Sequence, residues 1–135
     1  MRPNALTSAV VAVALVGSLP AATEELAFGV ELNRAREAME IAPFKTFYDG
    51  PFNKAFYAKF SGWLNQCSAK TGQALENLDL ILTLAGDGKV QTVRFEPQSA
   101  NGRCFAELVR KESFPSPPSS GLAVPVSIRM TKPKQ

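Results

Sequence analysis

The sequence predicts a small α+β domain: a three-stranded antiparallel sheet in the order 2-1-3, with helices packed on one face. Three observations carry this. Residues 78–84 (LDLILTL) and 89–96 (KVQTVRFE) alternate apolar and polar side chains on either side of Gly86-Asp87-Gly88, the pattern of a hairpin. Phe52, Phe56, Phe60, Trp63 or Leu64, and Cys67 recur at three- and four-residue steps, the pattern of one helix face. A third alternating run over 122–130 follows a helix-length segment, so it can return antiparallel beside the first strand.

The chain opens with Arg2 and an apolar run over 9–19 (AVVAVALVGSL). That run matches a signal-peptide core and falls well short of the roughly 20 residues that span a bilayer. Pro20-Ala21-Ala22 supplies a helix break and small residues. The expectation is a cleavable export signal over 1–22, a periplasmic mature protein and no membrane span after cleavage. No cysteine follows the apolar run to take a lipid.

Residues 23–48 are expected to hold an N-terminal helix and a linker. The helix covers 24–41, with Leu26, Val30, Leu32, Ala35 and Met39 as its apolar positions, and ends at Ala42-Pro43. Residues 44–48 show no period. The main domain is placed at 49–131. Asp49 can cap a helix and Pro51 suits its first turn, where its missing N–H is no loss. This aromatic helix runs to about residue 69, and 70–77 reads as a loop.

In the first strand Leu78, Leu80, Leu82 and Leu84 share one side, and Asp79, Ile81 and Thr83 the other, so the strand is expected to be half-buried. The return strand places Val93 and Phe95 on one face and Val90, Thr92 and Arg94 on the other. Pro97 ends it. Ser99 or Asn101 can cap a helix over 102–112 whose inward stripe is Cys104, Phe105, Leu108 and Val109. Residues 113–121 (SFPSPPSSG) form a stiff proline-rich connector. In the last strand Val124, Val126, Ile128 and Met130 face one way and Pro125 the other. A proline cannot donate to a ladder, so this strand belongs at an edge. Residues 132–135 are a short basic tail.

Two cysteines in an exported chain imply one disulfide, Cys67–Cys104, clamping the helix before the hairpin to the helix after it. The composition also excludes chemistry. The chain has no histidine, which removes Ser-His-Asp and Cys-His centres. The two cysteines lack zinc-site spacing. The net charge of +3 is mild, and the scattered Lys and Arg residues form no patch for nucleic acid. The sequence calls for no cofactor and no metal. Only carboxylate chemistry stays open, with Glu76, Asp79 and Glu96 as its candidates.

The stretch LTLAGDGKVQTVRFEP at 82–97, a short helix, and Phe114-Pro115-Ser116-Pro117-Pro118 before a final strand together resemble the C-terminal domain of TonB-type energy transducers. Some relatives in that superfamily carry one cysteine before the first strand and one in the following helix, as Cys67 and Cys104 stand here. The aromatic helix follows almost directly after the export signal, without a long proline-rich spacer, and Gln98-Ser99-Ala100 replaces the family's Ser-Ser-Gly. The resemblance is therefore to the stand-alone periplasmic forms.

It implies a non-catalytic protein that binds an extended segment of an envelope protein by adding it to a sheet edge. The edge expected is 122–130, with Val124, Val126, Ser127, Ile128, Arg129 and Arg94 as partner-binding residues. Homodimerisation through the same edge is a further expectation. The alternative is a structural or inhibitory envelope protein acting through the proline loop at 114–120. The least favoured is a carboxylate enzyme.

Overall fold

In the computed structural model, which describes residues 21–130, three strands form one antiparallel sheet. Most of the predicted export segment and the basic tail lie outside the described residues. Strand β1 (Leu78–Leu84) is central, with β2 (Val90–Glu96) on one side and β3 (Leu122–Ile128) on the other, giving the expected order 2-1-3. Leu80 stands opposite Phe95 and Val126, and Leu82 opposite Val93 and Val124. These residues share one face of the sheet, the core face. Leu78, Leu80, Leu82 and Leu84 are essentially sealed from solvent there.

Helices α3 (Asn53–Thr71) and α4 (Ala100–Arg110) cover that face. The aromatic stripe packs as the spacing predicts. Phe56 meets Trp63 edge-on, with ring centroids 5.2 Å apart, and both approach Phe105 of α4. Phe52, Phe56, Trp63 and Cys67 are buried. Such tilted and edge-on contacts stabilise beyond area burial alone. Ser99 is the residue that caps α4, its hydroxyl accepting from the Gly102 N–H at 2.9 Å. Gly72, in the left-handed conformation at φ 68°, ends α3.

The disulfide joins Cys67 to Cys104 with their Cα atoms 5.7 Å apart. Beside it lies buried Asn101, whose amide donates to the carbonyls of Gln73 and Ala74 at 3.0 Å each. Its side-chain oxygen accepts from the Thr71 hydroxyl at 2.5 Å. The end of α3 and the start of α4 are thus tied covalently and by hydrogen bonds at one place.

Four expectations are corrected. Residues 44–48 are not a linker, and no helix starts at Asp49. Helix α2 (Phe44–Phe47), a π-helical turn (Tyr48–Phe52) and α3 run on without a break, and the backbone stays right-handed helical at each junction. Pro51 is accommodated because the wider turn absorbs the missing donor. Asp49 does not cap; its carboxylate pairs with Lys45 one turn earlier, at 2.9 Å.

The second correction concerns Val90. The register slips between Thr83↔Thr92 and Leu84↔Val90, leaving Gln91 as an extra residue. A bulge of this kind reverses the alternation. Val90 is therefore brought opposite Leu84 and packs on the core.

Third, the helices do not all lie on one face. Helix α1 (Ala21–Ala38) crosses the other side of the sheet, where Phe28 and Leu32 pack on Ile81 beside Ala123. Fourth, β1 is consequently buried on both faces: Ile81 retains only 4% of its accessible surface. The buried positions of α1 are Phe28, Leu32 and Ala35, followed by Met39 just past its end, whereas Leu26 and Val30 are exposed.

Two predictions follow from this packing. Replacing both cysteines by serine should lower the unfolding free energy by about 4 kcal/mol, the loop-closure value for this spacing, read from urea denaturation. Gly88 sits at φ +89°, and a Cβ there would lie 1.8 Å from the Phe114 carbonyl oxygen. Gly88→Ala should cost more than about 2 kcal/mol, while Gly86→Ala, whose Cβ would meet only Ser120 at 3.5 Å, should denature close to the parent.

Candidate functional site

The second face of the sheet is where polar chemistry gathers. Cross-strand pairing sets its rows. Asp79 stands between Glu96 and Ser127, Ile81 between Arg94 and Pro125, and Thr83 between Thr92 and Ala123. Ile81 and buried Pro125 form a narrow apolar seam along the middle row. Phe28 and Leu32 close on Ile81 because they lie one helical turn apart on α1.

Charged groups flank the seam. Arg94 pairs with Glu31 and lies over the Phe28 ring, 5.8 Å from its centroid. Arg36 donates to the Ser127 hydroxyl at 2.6 Å and reaches Asp79 Oδ1 at 3.7 Å. Arg129 donates to the same Asp79 oxygen at 2.9 Å. These pairs are largely exposed, so each contributes little alone; acting together they fix the position of α1.

Two open clefts border the N-terminal half of α1. One, of about 410 Å³, lies between Glu24, Ala27 and Phe28 of the helix and residues 93–96 and Gln98 of the sheet side. The other, of about 540 Å³, is lined by Glu25, Phe28, Asn77, Asp79, Glu96 and Arg129 among others. Burial raises the Glu96 carboxyl above its ordinary titration range, and the charges of Glu25 and Glu24 push it the same way, against a hydrogen bond from Gln98 and the charge of Arg94.

Of the three carboxylates the sequence singles out, the structure brings two together. Asp79 and Glu96 are direct cross-strand partners, while Glu76 stands exposed in the loop before β1. Asp79 is engaged by two arginines, so it ties α1 and the end of β3 to the sheet. Among the described residues no group of three or more His, Cys, Asp or Glu side chains is placed to hold a metal ion.

The six residues expected to bind a partner divide between the two faces. Val124, Val126 and Ile128 are buried in the core. Ser127, Arg129 and Arg94 are brought to the second face and engaged by Arg36, Asp79 and Glu31 respectively. One carbonyl on the outer side of β3 is capped. Pro125 has no N–H to offer, and its carbonyl accepts the Tyr48 hydroxyl at 2.7 Å. On the inner side, toward β1, the Met130 N–H donates to Asn77 at 2.8 Å.

The β2 edge differs. Its ends are engaged: Lys89 bridges to Ser113, the Val90 N–H donates to the Glu112 carbonyl at 3.3 Å, and Gln98 donates to the Phe95 carbonyl at 2.6 Å. Between them Gln91, Thr92 and Arg94 are exposed. The proline loop is anchored at both ends. Phe114 is buried against Phe52, its N–H donates to Gly88, and the Gly121 N–H donates to Leu84 at 2.7 Å. Ser116 and residues 118–120 project outward.

No family model, curated protein or solved structure matches the chain. Several residues of this site are not singled out from sequence: Phe28, Glu31, Arg36 and Tyr48. Phe28 was open to detection, because Phe28, Leu32, Ala35 and Met39 follow four-three-four spacing. Tyr48 gives no such signal, since its role depends on where the sheet edge falls.

The Tyr48 contact yields a prediction. Tyr48→Phe should cost about 1 kcal/mol, the usual worth of one such hydrogen bond. Burial raises the phenol above its ordinary value of 10.0. A raised acid contributes stability that is whole below the ordinary value and fades as pH rises through the folded one. Denaturation series should show the difference between parent and Tyr48→Phe constant at neutral pH and shrinking above pH 10.

Proposed function

We propose that this chain is an exported, periplasmic domain of the TonB C-terminal type, acting without catalysis by contact with another envelope protein. The reading is supported by the sheet order 2-1-3, the hairpin around Gly88, the helix between β2 and β3, and the disulfide linking α3 to α4. The observation that carries the mode of contact is the state of the two sheet edges. Tyr48 and Pro125 together close the middle of the outer side of β3, one by capping a carbonyl and the other by lacking an N–H, whereas the exposed residues Gln91, Thr92 and Arg94 of β2 lie between two closed ends. An extended peptide therefore pairs along the middle of β2, with the ends limiting it to a few residues. Main-chain hydrogen bonds supply affinity in this mode.

A photoreactive amino acid at Gln91 tests this. Irradiation in the intact envelope should capture a defined partner at Gln91, and none at Ser127, which faces α1, or at Asp87 in the turn. Equal labelling at all three positions, or none at Gln91, would reject the edge.

A second reading has its own observation. The proline loop is held rigidly by Phe114 and Gly121 yet exposes Ser116 and residues 118–120. Stiff, exposed loops on a fixed frame are common binding elements. Capture from Ser119 in the same experiment, with Gln91 silent, would favour this inhibitory or structural role.

A further inference from the structure

We propose that the N-terminal half of α1 is a pH-responsive strap, held off the sheet when Glu24, Glu25 and Glu96 are all ionised and seated over it on mild acidification. Three features of the geometry support this. The helix is fastened unequally. From Leu32 onward it buries Leu32 and Ala35 and places Arg36 on Ser127 and Asp79. Before Gly29 it buries only Phe28, and residues 22–27 are exposed throughout. Gly29 lies at the join, inside the helix, where a glycine weakens helical order. The two clefts lie beside this half, bordering Phe28 on both sides.

The charges facing Glu96 come from every neighbouring element. Helix α1 presents Glu24 and Glu25; β1 presents Asp79; β2 presents Arg94, itself paired with Glu31; the end of β3 presents Arg129. Arg103 of α4 reaches only the Gln98 carbonyl, at 3.3 Å. Among the described residues Arg94 is paired with Glu31, and Arg129 and Arg36 with Asp79. Glu24, Glu25 and Glu96, among the described residues, face one another without an ion pair of their own.

The sign follows from linkage. The Glu96 carboxyl is raised in the seated form, so seating takes up a proton. Its contribution is whole below the ordinary carboxylate range and is lost as pH rises through the raised value. Acidification within the carboxylate range therefore seats the N-terminal half of α1 on the sheet, and neutrality releases it.

Amide hydrogen exchange of the full chain, corrected for the intrinsic pH dependence, tests the strap. Residues 25–29 should be protected at least about tenfold more at pH 4.5 than at pH 7.5, as expected for a local opening equilibrium. Residues 32–38 should change little. A Glu24→Gln, Glu25→Gln, Glu96→Gln chain should stay protected at both pH values. Gly29→Ala, for which a Cβ meets nothing within 4 Å, should reduce the opening at pH 7.5 while keeping the pH dependence. Equal protection of the parent at the two pH values would overturn the strap, as would a pH difference that survives in the triple variant. The readout needs no partner, so it stands or fails apart from the β2-edge reading.

Discussion

The central strand is the constraint on which the rest of the structure depends. β1 is paired along both edges and covered on both faces. Its backbone groups are satisfied by β2 and β3, so it can be sealed from water at little cost. Its leucines define where α3 and α4 sit, and Ile81 defines where α1 sits. A polar residue in place of Leu80 or Leu82 would be an unpaired group in a dry core, a far greater penalty than any change at the surface. The hairpin, the disulfide and the proline loop all serve to hold other elements against this strand.

Those restraints act at opposite ends. At one end Cys67–Cys104 and the Asn101 amide hold α3 to α4. At the other, Phe114 sits against Phe52 and hydrogen-bonds to Gly88, so the hairpin turn, the proline loop and the π-helical turn meet in one cluster. The close approach of the Phe114 carbonyl explains why position 88 admits only glycine: both the positive φ and the missing side chain are required. Pro115 and Pro117 then leave the cluster stiffly, which keeps the exposed loop from collapsing on the sheet.

What could be read from the chain, and what could not, divides along a physical line. The hairpin, the strand order, the aromatic face and a cap at Ser99 or Asn101 are legible because each rests on local periodicity or turn chemistry; the structure selects Ser99. Gln91 was not legible as a bulge, because KVQTVRFE alternates well enough without one. The stretch from Phe44 to Phe52 was misread because Asp49-Gly50-Pro51 has the chemistry of a helix start. Only Phe47, Tyr48 and Phe52 packing together reveals that the helix passes through it. The candidate site was the least legible part. Arg94, Ser127 and Arg129 are expected from sequence to meet side chains of a bound strand, and in the structure each also has an internal partner. Long-range pairing of Arg36 with Ser127, 91 residues apart, leaves no trace in local pattern.

The weak apolar pattern of α1 itself has an explanation in the surface it meets. A helix on the core face must present a broad apolar stripe, as α3 and α4 do. The second face of the sheet offers only a seam around Ile81 and Pro125, with charges to either side. The matching helix needs one narrow line of apolar residues and charged neighbours that pair across it, which is what Phe28, Leu32 and Ala35 with Glu31 and Arg36 provide. Attachment of this kind is inherently divisible. Where complementary charges end, at Gly29, the apolar line alone must hold the helix, and toward Glu24 and Glu25 it meets carboxylates of its own sign. The low amphipathicity of this segment is thus the sequence counterpart of a helix seated firmly at one end and lightly at the other.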